Sequence, residues 1–173
     1  MPCPKLSLAV AALLLTGLLA SPARAEEPPP DSHELRLASS LLERATTGAA
    51  LAVNDALALI GIRYRRGGSS PETGYDCSGF VDHVFREGIG LILPHSAREI
   101  AKTGEKVQRA DLQPGDLVFF NTMRRAFSHV GIYLGDHQFV HAPHTGAEVR
   151  IEDMRERYWA KRFDGARRLI ATE

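Results

Sequence analysis

Asp76-Cys77-Ser78-Gly79-Phe80 is the stretch around which the chain is organised. A Gly- and Ser-rich run, Arg66-Gly67-Gly68-Ser69-Ser70-Pro71-Glu72-Thr73-Gly74-Tyr75, leads into it and is dense in turn-forming residues. Beyond it, Phe80, Val81, Val84 and Phe85 mark one face of a helix. Cys77 is therefore expected in the first turn of that helix, where unpaired N–H groups and the positive end of the macrodipole gather. Such a setting favours thiolate over thiol, and the thiolate is the nucleophile. Its spacing to Phe80 and Val81 puts Cys77 on the inward face. A buried structural cysteine is the competing reading and the commonest role for a lone Cys.

Upstream, Lys5 and an apolar run over residues 6–20 precede Ala23-Arg24-Ala25, then Glu26-Glu27-Pro28-Pro29-Pro30. The run is short for a membrane span, and the small-x-small site completes a secretory signal peptide over residues 1–25. The mature chain then starts near Glu26, in the periplasm or outside the cell, with no stable membrane span. An uncleaved anchor is the alternative. Cys3 leaves with the leader, so one cysteine remains in a disulfide-permissive compartment. An odd exported cysteine is an intermolecular link or a reactive thiol.

Residues 26–48 read as a stiff linker and an accessory helix. Asp31 and Glu34 form a capping-box-like start, and Leu35, Ala38, Leu41, Leu42 and Ala45 keep helical spacing until Thr46-Thr47-Gly48 breaks it. The main domain is expected over residues 49–173. It opens with a second helix striped by Leu51, Ala52, Asp55, Ala56 and Leu59, ending near Gly61.

Downstream of the cysteine helix, Ser96 can cap a short helix. Leu117-Val118-Phe119-Phe120 is a continuous apolar run, hence a central strand. Residues 130–134 and 138–142 form a hairpin around Gly135-Asp136. A short strand over 147–151, a helical turn over 155–161 and a last strand over 162–170 follow. Helices first and an antiparallel sheet second make an α+β domain.

Composition excludes some classes. The 173 residues carry 21 Lys plus Arg against 21 Asp plus Glu, so net charge gives no case for nucleic acid as partner. A hydrophobic content of 44% is enough for a globular core.

A cysteine nucleophile needs a base in reach, and the base needs an orienting group. Of seven histidines, His129 and His141 stand out because they fall on paired strands. A two-residue loop at Gly135-Asp136 would separate them. An odd loop keeps them on one face, directly opposite if centred on Gly135 and diagonal if centred on Asp136. Gly131 would leave space beside His129 for an approaching helix end. The pair could instead hold a metal, but no cluster at zinc-ligand spacing accompanies it; no metal or cofactor is expected. His33, His83 and His137 read as surface residues.

The runs Tyr64-Arg65-Arg66-Gly67-Gly68, DCSGFV from Asp76, LPHSA from Leu93, LQPGDLVFF from Leu112, SHVGIYLG from Ser128 and FVHAP from Phe139 together resemble the NlpC and p-sixty family of cell-wall cysteine peptidases. The resemblance covers residues 50–170. It implies a papain-like α+β domain, with helices packed on an antiparallel sheet and the catalytic Cys at a helix N-terminus. It also implies hydrolysis of peptidoglycan stem peptides, typically between D-glutamate and the diamino acid. By motif, Cys77 is the expected nucleophile, His129 the base and His141 the polar third member, with Tyr64 beside the cysteine and Asp76, Ser78 and Ser128 bordering the substrate groove. The family often has Arg where His95 stands, which bears on subsite preference.

Two other functions stay open: an amidase or acyltransferase using the same Cys–His pair, and an idle wall-binding scaffold. Intact Cys77, His129 and His141 argue against the scaffold. No wall-anchoring repeat is visible, so targeting could rest on a protein adaptor.

Overall fold

In the computed structural model, which describes residues 32–169, the first element is a single long helix, α1 (Ser32–Ala58). The expected leader, its expected cleavage site and the Pro-rich stretch lie outside the described residues. The expected break at Thr46-Thr47-Gly48 is absent, so the accessory helix and the second helix are one element. Thr46 Oγ1 donates back to Glu43 O at 2.9 Å, within the helical turn. Gly48 lies close to Ile89, where tertiary packing overrides weak propensity. Ala52 and Ala56 are fully buried, but Leu51 faces solvent, contrary to its place in the expected stripe.

A small antiparallel pair, β1 (Ser69–Ser70) and β2 (Gly74–Tyr75), then feeds α2 (Cys77–Ile89). Asp76 caps α2 by accepting from the Gly79 N–H at 2.8 Å, and Gly90 ends it in the left-handed conformation at φ 71°. Only glycine fits at 79, because a Cβ there would stand 2.1 Å from the Gly68 carbonyl oxygen. The loop before the helix thus lies directly on the helix start. α3 (Ala97–Ile100) follows, capped by Ser96 as expected.

The rest is mainly a six-stranded sheet of β3 (Glu105–Val107), β4 (Leu117–Phe120), β5 (His129–Gly135), β6 (Gln138–His141), β7 (Arg150–Asp153) and β8 (Phe163–Arg168). A short helix, α4 (Arg157–Ala160), sits between β7 and β8. The order across the sheet is β3-β8-β4-β5-β6-β7, every pair antiparallel. The final strand therefore sits inside the sheet, between β3 and β4.

Alternation explains why β4 is apolar at every position. Leu117 and Phe119 join Phe80, Val81, Val84 and Val130 in one buried cluster, to which α1 and α2 contribute. Val118 and Phe120 join Tyr133, Phe139 and Trp159 in a second. Both faces of β4 are covered, as the continuous run required.

Candidate active site

The site starts from the α2 cap. Asp76 accepts from Gly79 N–H and Gly67 N–H, and its Oδ1 also accepts from the Ser78 hydroxyl at 3.0 Å. This carboxylate ties the glycine loop to the helix and fixes the backbone at Cys77. Cys77 is the first residue of α2, half-buried and packed against the core.

The thiol does not behave as the helix N-terminus alone predicts. Burial pushes Cys77 up to about 11, and neighbouring Asp76 pushes the same way. The N–H groups of Val130, Ser78 and Cys77 itself pull downward, as the dipole argument expects, but burial outweighs them. The Val130 N–H places the sulfur at the start of β5, one residue from His129.

The β5–β6 hairpin decides how the histidines meet. Ile132 pairs with Val140 and Tyr133 with Phe139, and a bulge follows between Tyr133 and Gly135. That register makes His129 and His141 diagonal neighbours on one face, the arrangement expected for a loop centred on Asp136. Gly131, by the same register, faces His141 across the ladder. A Cβ on it would stand 2.7 Å from Phe139 Cδ2 and 3.2 Å from His141 Cβ. The glycine makes room for these side chains rather than for a helix end.

His129 Nε2 and His141 Nδ1 are 2.6 Å apart, with the rings at 87°. Both are buried. Burial, reinforced by His141, holds His129 well below the ordinary imidazole range; Glu152 opposes. Burial also lowers His141, again opposed by Glu152. At neutral pH both rings are uncharged and Cys77 is a thiol. Among the described residues no hydrogen bond joins the sulfur to the His129 ring.

Two further residues enclose the pair, and sequence reading missed both. Trp159, the only tryptophan in the chain, stacks on His129 at 5.8 Å and 28° and meets His141 edge-on at 5.1 Å. Its indole N–H donates to Glu152 Oε2. Glu152 also pairs with Arg150 and lies 3.6 Å from His141 Nε2.

Cys77 lies where two clefts meet, one of about 710 Å³ that also holds His129, Glu152 and Trp159, the other of about 570 Å³ bordered by Asp76, Ser78, His95 and Arg98. Tyr64, Arg66, Cys77, Arg125 and Ser128 line both. Tyr64 is held raised, first by burial and then by Cys77 and Asp76, so its phenol stays protonated. Among the described residues no group is hydrogen-bonded to that hydroxyl.

The family model described as "NlpC/P60 family" matches residues 61–168. This chain belongs to the NlpC/P60 family. The murein DD-endopeptidase MepS/murein LD-carboxypeptidase of Escherichia coli K12 is 50% identical over 111 residues, covering 64% of this chain and 57% of that protein. The γ-DL-glutamyl hydrolase of Bacillus subtilis 168 is 42% identical over 117 residues, 67% of this chain and 28% of that protein. The chain thus spans about half the length, or less, of these relatives. Among solved structures, the NlpC/p60 domain of the peptidoglycan hydrolase SagA superposes with a TM-score of 0.60 at 31% identity, covering 68% of this chain and 96% of that one. The α+β architecture is that of the NlpC/P60 structures.

Within this NlpC/P60 domain, the residues expected along the groove serve the scaffold as well. Asp76 is engaged as the cap. Ser78 is buried and donates to Asp76 and to the His95 carbonyl. Ser128 Oγ accepts from the N–H groups of Thr122 and Met123, closing the loop over residues 121–128. All three border the clefts, but these polar groups already have partners within the chain. His83 is half-buried, its ring 5.2 Å from that of Tyr75, rather than surface-facing, whereas His137 lies exposed in its turn.

Proposed function

We propose that the protein is an exported cysteine endopeptidase that hydrolyses peptide bonds in peptidoglycan stem peptides. The observation that carries this is the His129–His141 bond. It occupies Nε2 of His129 and leaves Nδ1 as the ring nitrogen for Cys77, in the cleft that both residues line. Family membership and the murein endopeptidase relatives support the substrate class. So does the charge of the clefts. Arg66 and Arg125 line both and Arg98 one, guanidinium groups suited to the carboxylates of a stem peptide, while Arg150 in the larger cleft is paired with Glu152 and Glu156 also lines that cleft.

The neutral resting pair shapes the chemistry. As Sγ attacks the scissile carbonyl carbon, the thiol proton passes to His129 Nδ1. The C–O π electrons move to oxygen. The Cys77 N–H and the Tyr64 hydroxyl stabilise that oxyanion, one such donor being worth about 3 kcal/mol. His129 returns the proton to the departing amine, leaving an acyl-thioester. Water, deprotonated by the same ring, releases the acid and regenerates the thiol.

The bond proposed is the one between D-glutamate and the diamino acid, in line with the γ-DL-glutamyl hydrolase. The MepS name favours a second bond, the D-alanyl cross-link. Mass spectrometry of muropeptides digested with the mature protein decides between them. Conversion of monomers to the disaccharide dipeptide, with release of the peptide that begins at the diamino acid, marks the first, and conversion of dimers to intact monomers marks the second. Dimers and monomers that both survive sink the reading.

A further inference from the structure

His141 Nε2 is wholly buried and has no hydrogen-bond partner. The group facing it is Glu152 Oε2 at 3.6 Å, longer than a formed hydrogen bond. That oxygen is not free to turn away. The Trp159 indole N–H donates to it, while Arg150 holds the other carboxylate oxygen. A half-buried carboxylate is thus fixed with one oxygen against a wholly buried imidazole nitrogen.

The proton can sit on His141 in two ways. If Nδ1 carries it, the Nε2 lone pair faces the carboxylate, and His141 donates to His129 Nε2. His129 then holds its own proton on Nδ1 and presents an N–H, not a lone pair, to Cys77. If Nε2 carries it, the N–H points at Glu152 and Nδ1 accepts from His129 Nε2–H. His129 Nδ1 is then unprotonated. Only this second arrangement makes His129 a base, and only it avoids lone pair against carboxylate in a buried setting.

We propose that Glu152 is a positioning residue: it fixes His141 as the Nε2–H tautomer, which in turn fixes His129 with its lone pair on Nδ1 toward Cys77. Glu152 acts two groups away from the sulfur and needs no contact with substrate. The role rests on the peptidase reading only for its consequence in turnover; the tautomers are properties of the free protein. Arg150 and His144 are the other charged or titratable groups felt at His141. Arg150 is paired with Glu152, and His144 Nδ1 lies 3.0 Å from the Thr145 carbonyl.

The test reads the tautomers directly. In ¹⁵N-labelled wild-type protein at neutral pH, long-range ¹H–¹⁵N spectra should show His141 protonated on Nε2 and His129 protonated on Nε2. A His141 ring protonated on Nδ1 overturns the proposal with no variant needed. In Glu152→Gln, whose carboxamide offers an acceptor or a donor, His141 should become a mixture of tautomers. Turnover per folded molecule should drop on the order of tenfold to a hundredfold, with KM within about twofold and the protein still folded at the assay temperature. Glu152→Asp, which keeps the charge, should restore the Nε2–H signature and part of kcat. Unchanged tautomers and kcat in Glu152→Gln overturn the proposal. A wild type with the expected tautomers but no activity on muropeptides would instead count against the peptidase reading alone.

Discussion

His141 Nδ1 meets His129 Nε2 at 2.6 Å because the hairpin register sets the two residues diagonally, not face to face. A direct pair of imidazoles would leave each ring crowded by the other. The diagonal, with glycine at 131, turns the rings edge to face. The orienting bond is therefore a property of strand register, and register is where it can be broken.

Gly131→Ala should show this. The added methyl would stand 2.7 Å from Phe139, 2.9 Å from the Val140 carbonyl oxygen and 3.2 Å from His141. Overpacking of this kind destabilises by about 1–3 kcal/mol. Urea titration should register that loss, and kcat should fall by more than the unfolded fraction explains.

Substitutions at the histidines should rank. His141→Asn or Gln keeps a polar atom beside His129 and should retain more activity than His141→Ala. Every His129 variant should lie at the bottom, since in the proposed mechanism that ring carries the proton. Turnover on a stem tetrapeptide, normalised to folded protein by circular dichroism, gives the order. Wild-type activity in His141→Ala contradicts the assignment, as does a His129→Ala protein more active than His141→Ala.

Cys77 should be a thiol until strongly basic pH. Its value is raised, so the anion appears only as pH climbs toward about 11. The rate of alkylation by iodoacetamide should keep rising through pH 9, without the plateau of an acidic thiol. His129 is depressed below 6.5, so the ring loses its base function only as pH falls well under that value. Hydrolysis should accordingly hold steady from neutral pH down to mildly acid conditions. An alkylation plateau near pH 7 would instead make Cys77 a thiolate at rest, as the helix start alone predicts. Cys77→Ser should fold and hydrolyse nothing.

Asp76→Ala removes the α2 cap and two further hydrogen bonds. A lost cap is worth about 1 kcal/mol, up to roughly 2. Asp76→Asn should recover most of the stability, because Oδ1 can still accept from Gly79. Equal melting points for the wild type and Asp76→Ala would remove the cap from this account.

Much of the site was legible because its signals are local. The cap, the glycine loop and the apolar stripe fixed Cys77 at a helix start. Period-two alternation put both histidines on one hairpin. The register was not legible, since the bulge depends on Asp136 and His137 taking left-handed φ of 48° and 64°, and neither is glycine. Glu152 and Trp159 gave no pattern because they reach the rings only through tertiary packing, from a short strand at the sheet edge and a four-residue helix. Thr46-Thr47-Gly48 misled because its helix is held partly by packing on α2. The thiol misled because spacing shows the inward face but not how far the cost of burying the anion outweighs the dipole.

The position of β8 between β3 and β4 carries a consequence for the order in which the molecule comes into being. β8 leaves the ribosome after the other described strands, yet it supplies the partner for a flank of two earlier strands. Until residues 163–168 have emerged, β4 is an open edge and β3 has nothing to pair with, the condition in which strands pair wrongly. The hairpin bearing His129 and His141 is local and can form early, but its supporting sheet cannot be finished by a growing chain. A chain truncated before β8 should therefore be poorly soluble, and the proposed peptidase activity should be lost with it.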